Sequence, residues 1–271
     1  MRACVIGWPV AHSLSPAIHT YWLKQHGIAG EYTARAVKPG ELRAAFETLK
    51  REAWRGCNLT IPHKEAALAL MDSLDPAAKA IGAVNTVAIA DGRLAGSNTD
   101  AFGFAENLRA AGCDPKAGPA VVLGAGGAAR AAVWALVQAG APEIRVINRT
   151  PGRAAELAKA MGGKARDLAW NKRAAALAGA ALLVNATSLG MTGNPPLDLD
   201  LDALPKSATV NDMVYAPLET PLLKAAKARG NRAVDGLGML LHQARPGFKL
   251  WFGVMPEVTP ALRAAAVRAQ R

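Results

Sequence analysis

Short apolar runs alternate with longer stretches of helical period along most of the chain, the pattern of a series of βα units. Over its first part the apolar runs predict strands at residues 3–6, 32–37 and 57–60. Ser15 followed by Pro16 predicts a helix start with Ser15 as cap, running to about Gly27. Further helices are predicted over 41–51 and from near Pro62. Residues 84–89 and 93–96 flank Asp91-Gly92, a pair suited to a two-residue hairpin turn. A hairpin inside a βα series predicts a mixed sheet.

From Gly118 the alternation becomes regular. Strands are predicted at 120–123, 144–147, 182–185, 210–213 and 232–234. Helix 128–139 is closed by Gly140, Thr150 caps a helix whose first residue is Pro151, and Thr220-Pro221 opens another. Such regular alternation predicts a doubly wound parallel sheet. Asp100 is expected to cap a helix over 101–111 that joins the two parts. After Gly236 the chain is helical again, with Arg245-Pro246-Gly247 expected to break the helix.

An apolar content of 51% with 20% charged residues is that of a packed globular chain and excludes a disordered one. Lys and Arg number 32 against 21 Asp and Glu, a net charge of +11 that suits anionic partners. The basic residues are scattered and not interleaved with aromatics, so small anions are expected and nucleic acid is not. No apolar run is long enough for a bilayer and no leader pattern opens the chain, which points to a soluble cytoplasmic protein without a membrane partner. Cys4, Cys57 and Cys113 fit neither a disulfide framework nor zinc spacing and are expected as free thiols.

Gly124-Ala125-Gly126-Gly127-Ala128-Ala129 follows a predicted strand and opens a helix with the spacing G-x-G-x-x-A. The first glycine permits the tight turn, the second a close approach to a pyrophosphate, and the small final residue close helix–strand packing. The helix start adds amide donors for phosphate. About 20 residues on, an acidic residue would bind the ribose 2′-hydroxyl of NAD. Asn148-Arg149-Thr150 stands there instead, with Arg153 one turn further. Arg149 would attract a 2′-phosphate that a carboxylate would repel, so NADP is the expected cofactor. Four polar clusters lie upstream: Ser13-Leu14-Ser15, Asn58-Leu59-Thr60 through Lys64, Asn85-Thr86, and Asn98-Thr99-Asp100. Hydroxyls and amides at strand ends suit a polyhydroxylated ligand, because open α/β sheets bind ligands at the carboxyl ends of their strands. His12, His19 and His63 sit in different local elements, so local hydrogen-bonding roles are expected and a metal is not.

Together these motifs resemble the shikimate dehydrogenase family. Gly7-x-Pro9-x-x-His12-Ser13-x-Ser15-Pro16-x-x-His19 resembles its opening motif, followed in order by Asn58-x-Thr60-x-Pro62-x-Lys64, Ile81 to Thr86, and Gly96-x-Asn98-Thr99-Asp100. Asn185-Ala186-Thr187-Ser188-x-Gly190-Met191, Asp212-x-Val214-Tyr215-x-Pro217-x-x-Thr220-Pro221-Leu222 and Gly236-x-Gly238-Met239-Leu240-x-x-Gln243 resemble the rest. Thr20, where the family often has Asn, and the Arg245-Pro246-Gly247 stretch depart from the pattern. The resemblance implies an N-terminal mixed-sheet α/β substrate domain at 1–101, a Rossmann-like doubly wound NADP-binding domain at 102–236, and C-terminal helices at 237–271 returning to the first. It implies Lys64 and Asp100 as the catalytic pair, Lys64 being either the proton shuttle or an electrostatic clamp. Ser13, Ser15 and Tyr215 would bind a carboxylate, and Asn58, Thr60, Asn85, Asp100 and Gln243 ring hydroxyls. Thr187, Ser188, Met191, Met213, Gly236 and Met239 would line the cofactor beside Gly124–Ala128.

The expected activity is reversible NADPH-dependent reduction of 3-dehydroshikimate to shikimate, by a monomer or homodimer. The rival readings are a quinate/shikimate dehydrogenase of broader specificity and a non-catalytic NADP-sensing module. Arg149 and the serine pair weigh against the first, and the presence of both Lys64 and Asp100 against the second.

Overall fold

The computed structural model describes residues 1–270. By internal contact it divides into two units, Met1–Thr99 together with the chain from Leu241 onward, and Asp100–Leu240.

The first unit is built on β1 (Arg2–Gly7), β2 (Glu31–Ala36), β3 (Gly56–Leu59), β4 (Ser73–Leu74), β5 (Thr86–Ala90) and β6 (Arg93–Ser97), with α1 (Ser15–Gln25), α2 (Leu42–Arg51), α3 (His63–Ala66) and α4 (Pro76–Ile81) between them. The strands form one sheet in the order β2-β1-β3-β5-β6-β4. β1 is parallel to β2 and β3, whereas β5 is antiparallel to β3 and β6, so the sheet is mixed as the hairpin predicts. Asp91 and Gly92 take φ of 51° and 73°, the left-handed pair that a tight hairpin turn requires. One face packs on Ile6, Phe46, Leu49, Trp54 and Leu59.

The second unit is a parallel sheet in the order β12-β11-β10-β7-β8-β9. Its strands are β7 (Ala120–Leu123), β8 (Ile144–Asn148), β9 (Ala165–Ala169), β10 (Leu182–Asn185), β11 (Thr209–Asp212) and β12 (Arg232–Val234). Helices α5 (Asp100–Ala110), α6 (Gly127–Ala139), α7 (Pro151–Met161) and α8 (Pro221–Ala228) cover it. The order runs outward in both directions from β7, the doubly wound arrangement with its switch point between β7 and β10. β7 and β10 are buried at every residue, as strands covered on both faces must be. Helix α9 (Gly236–Phe252) begins in this unit and ends in the first, which α10 (Pro260–Ala269) completes.

Several local expectations are corrected. Ser15 is not the cap of α1: Leu14 holds that position in an αR conformation with no side-chain cap bond, and Ser15 is the first helical residue. Thr150 is the N-cap residue of α7 as expected, but its side chain makes no cap bond, whereas Thr220 caps α8 by accepting from Leu223 N. Pro246 does not break α9, which runs through it. One missing N–H removes one helical bond, and packing on both sides holds the helix. Gly247 lies so close to the Trp251 ring that a Cβ there would come within 2.9 Å of it. Trp251 Nε1 in turn donates to Val87 O on β5 at 3.0 Å. The short β4 and α4 and the largely exposed β9 lack a readable apolar run.

His19 has no hydrogen-bonding role. Both ring nitrogens are buried without a partner, and the ring stacks on Tyr32 at 3.9 Å and 3° among Trp22, Phe248 and Trp251. Burial lowers its pKa from 6.5 to about 3 and keeps it neutral. As pH falls, the unfolded chain takes up this proton first, so stability present above the unfolded pKa is lost progressively toward the folded one. By pH 5 the loss from this group is about 2 kcal/mol. His19→Phe, which keeps a ring, is expected to flatten the fall in unfolding free energy between about pH 7 and pH 5 in urea titrations; an unchanged slope would assign the acid sensitivity to other groups.

Candidate active site

In the first unit the polar clusters meet at the carboxyl ends of β1 and β3. The two strands are parallel, so their ends lie side by side, and Thr60 N donates to Ile6 O at 2.9 Å. Ser13 sits in the loop before α1, its hydroxyl accepting from Ser15 N at 3.3 Å. Asn58 and Asn85 are buried, at 5% and 2% exposure, and their amides must find partners. Asn58 Nδ2 donates to Asn85 O at 3.1 Å and to Thr86 Oγ1 at 3.0 Å, while its Oδ1 accepts from Tyr32 Oη at 2.6 Å. Asn85 Oδ1 accepts from Thr99 N at 2.7 Å, and its Nδ2 donates to Gln243 Oε1 on α9 at 3.3 Å. Thr86 and Thr99 close the ring with their hydroxyls 3.1 Å apart. Of the predicted substrate residues, Asn58, Asn85 and Gln243 therefore belong to one buried network, with Ser13 and Ser15 bonded to each other nearby in sequence.

Lys64 is half-buried in the single turn of α3, and its carbonyl accepts from Val84 N at 2.8 Å. The neighbouring His63 is turned into the unit, with Nε2 at 2.8 Å from Val37 O. Asp100, buried at 6% exposure, is the first residue of α5 in the second unit. Thr86 and Thr99 belong to polar clusters the sequence marks, though with no role of their own there, whereas Tyr32 reads as an ordinary strand aromatic.

In the second unit the glycine turn stands at the switch point. Gly124 adopts φ +114°, and a Cβ there would come within 2.8 Å of Ala186 O, so the position demands glycine on both counts. Gly126 is the N-cap of α6 and Gly127 its first residue. A Cβ at either would meet nothing within 4 Å, leaving the helix start open to an anion. Ala125 is buried and Ala128 half-buried. Arg149 and Arg153 are exposed just beyond β8, where Asn148 Nδ2 donates to Thr150 O at 3.0 Å. These residues fit a dinucleotide with a phosphorylated ribose.

The adjoining loop is fixed by buried polar groups. Asn185 Oδ1 accepts from Thr187 Oγ1 at 2.7 Å and from Thr187 N at 3.1 Å. Its Nδ2 donates to Asp212 Oδ1 at 2.9 Å, and Asp212 also accepts from Thr220 Oγ1 at 2.6 Å. Burial pushes the Asp212 carboxyl up and the half-buried Tyr215 phenol up likewise. Ser188 and Met191 are exposed on this loop, Met213 is half-buried, and Met239 is buried. A Cβ on Gly236 would overlap the Met213 carbonyl, so α9 starts tight against β11.

Three family models match the chain. They describe a shikimate dehydrogenase substrate binding domain over residues 5–87, a shikimate / quinate 5-dehydrogenase over 110–191 and a shikimate 5'-dehydrogenase C-terminal domain over 236–266. A curated NADP(+)-dependent shikimate dehydrogenase from Paramagnetospirillum magneticum is 57% identical over 97% of this chain and 96% of its own. A solved shikimate 5-dehydrogenase from Thermus thermophilus, in complex with NADP(H) and shikimate, is 46% identical with a TM-score of 0.90 over 99% of each chain. A quinate dehydrogenase from Corynebacterium glutamicum, in complex with NAD, has a TM-score of 0.92 at 32% identity over 99% of each chain. On fold, motif order and identity, the chain belongs to the shikimate dehydrogenase family.

Proposed function

We propose that the chain catalyses the reversible reduction of 3-dehydroshikimate to shikimate with NADPH, a step of the shikimate pathway. The observation that carries this reading is the buried amide–hydroxyl network of Asn58, Asn85, Thr86, Thr99 and Gln243, a shell suited to a polyol, in the same unit as Lys64. Identity of 57% to an NADP(+)-dependent shikimate dehydrogenase supports it. The protein works in the cytoplasm with its three cysteines as free thiols.

NADP would be held by the amides of Gly124–Ala128 at the start of α6, with Arg149 and Arg153 for its 2′-phosphate and Thr187, Ser188 and Met191 for its ribose and nicotinamide. When bound, the reduced nicotinamide supplies the hydride. Ser13, Ser15 and Tyr215 would bind the substrate carboxylate, and Asn58, Thr60, Asn85, Asp100 and Gln243 its ring hydroxyls. As the substrate carbonyl oxygen gains negative charge, Lys64 Nζ gives it a proton, so the C=O bond becomes C–OH. Asp100, at the start of α5, is the carboxylate this reading assigns to the same chemistry. In the reverse direction Lys64 takes the hydroxyl proton back.

Initial rates at the nicotinamide absorbance band, with shikimate or quinate each paired with NADP or NAD, test the reading. Shikimate with NADP is expected to be fastest; folded protein inactive in every pairing would end the proposal, and quinate with NAD in the lead would make the protein a quinate enzyme. Lys64→Ala is expected to lower kcat on the order of 10²- to 10⁴-fold with NADPH affinity kept, whereas undiminished turnover would remove Lys64 from the chemistry. Arg149→Ala is expected to raise KM for NADP about ten- to a hundredfold, with KM for NAD nearly constant. Equal effects on the two cofactors would place Arg149 away from the 2′-phosphate.

A further inference from the structure

Tyr32 occupies a position that neither the glycine turn nor the polar clusters explain. It stands near the start of β2, is only 4% exposed, and its hydroxyl is inside the first unit among the predicted substrate residues. Tyr32 Oη donates to Asn58 Oδ1 at 2.6 Å, the shortest of the bonds that hold this amide. The phenol thus spends its one proton on a residue assigned to a ring hydroxyl.

The ring that carries this hydroxyl cannot turn. His19 lies flat on it at 3.9 Å, and Trp251 packs against it with ring centroids 5.9 Å apart. Trp251 is itself pinned to Val87 O on β5. The two His19 nitrogens make no hydrogen bond, so the imidazole serves as a flat plate and not as a polar contact.

We propose that Tyr32 is a positioning residue for the substrate: its hydroxyl, held by the His19 plate, fixes the rotamer of Asn58 and so sets where the site receives a ring hydroxyl. This rests on the shikimate reading above. Asn58 spends both amide hydrogens on Asn85 O and Thr86 Oγ1, so only the second lone pair of its Oδ1 is left for a ring hydroxyl, and Tyr32 decides where that lone pair points.

The test is the kinetics of the full-length protein with shikimate and NADP. Tyr32→Phe removes one oxygen and leaves the stack in place. Its KM for shikimate is expected to rise about three- to tenfold, with kcat within about twofold and KM for NADP unchanged. A merely structural tyrosine would not produce that split. His19→Ala is expected to reproduce the rise in shikimate KM, and His19→Phe, which restores a plate, to reverse most of it. An unchanged shikimate KM in Tyr32→Phe overturns the proposal. So does a parallel change in kcat and both KM values accompanied by a lowered unfolding midpoint. Wild-type protein that fails to turn over shikimate overturns the functional reading and this inference with it, a result distinct from either of those because it appears before any substitution.

Discussion

A buried amide side chain must be hydrogen-bonded, and Asn85 is where the first unit meets that demand. Its Oδ1 takes the Thr99 amide at 2.7 Å, its Nδ2 reaches Gln243, and its backbone carbonyl takes Asn58 Nδ2 and Leu59 N. Four separate pieces of chain, the end of β3, the start of β5, the exit of β6 and the inner turn of α9, are thereby held to one residue. An uncompensated polar group at such a site costs about 1–3 kcal/mol, so each of these segments is fixed where the others need it. Gln243 is the most distant in sequence, and the Asn85 bond is what draws the late helix α9 into a site otherwise made from the first hundred or so residues. The Trp251 bond to Val87 O repeats the attachment two turns along the same helix.

In the second unit the same rule acts through Asn185 and Asp212. Both are fully buried at the carboxyl ends of β10 and β11, and each satisfies the other while anchoring an outgoing loop, Thr187 in one case and Thr220 in the other. The glycine turn after β7 lies directly beside them, with Gly124 close to Ala186 O. Site-bearing loops in both units are thus tied at their roots by neutral amides or a hydroxyl-capped carboxylate. Their exposed parts, Arg149, Ser188 and Met191, are left to meet a ligand.

The parts of this design legible in the sequence are those governed by local physics. Fully buried parallel strands such as β7 and β10 read as uninterrupted apolar runs, and positive-φ turns at Asp91-Gly92 and Gly124 require the residues found there. Tertiary contacts governed the rest. Pro246 reads as a helix breaker because sequence shows its missing N–H but not the Trp251 packing that keeps α9 continuous. Ser15 reads as a cap because Ser-Pro is a strong local signal, yet the chain enters α1 one residue earlier and Ser15 is already helical. His19 reads as a hydrogen-bonding residue by type, and only the surrounding rings make it a neutral plate. Tyr32 gives no signal, since a strand aromatic and a strand aromatic holding a ligand-binding amide have the same pattern.

This arrangement decides what kind of recognition the first unit can offer. Asn58 already has its amide hydrogens placed within the protein, and Asn85, Thr86 and Thr99 bond one another. A polyol entering such a shell exchanges hydrogen bonds with water for hydrogen bonds with protein, so each contact adds only about 0.5–1.5 kcal/mol. A ligand lacking a hydroxyl at the right place leaves a buried oxygen or amide without its partner and loses more than it would have gained. The network therefore contributes more to selectivity than to affinity, and the long-range attraction of an anionic substrate and cofactor comes from the chain's excess of 32 Lys and Arg over 21 Asp and Glu.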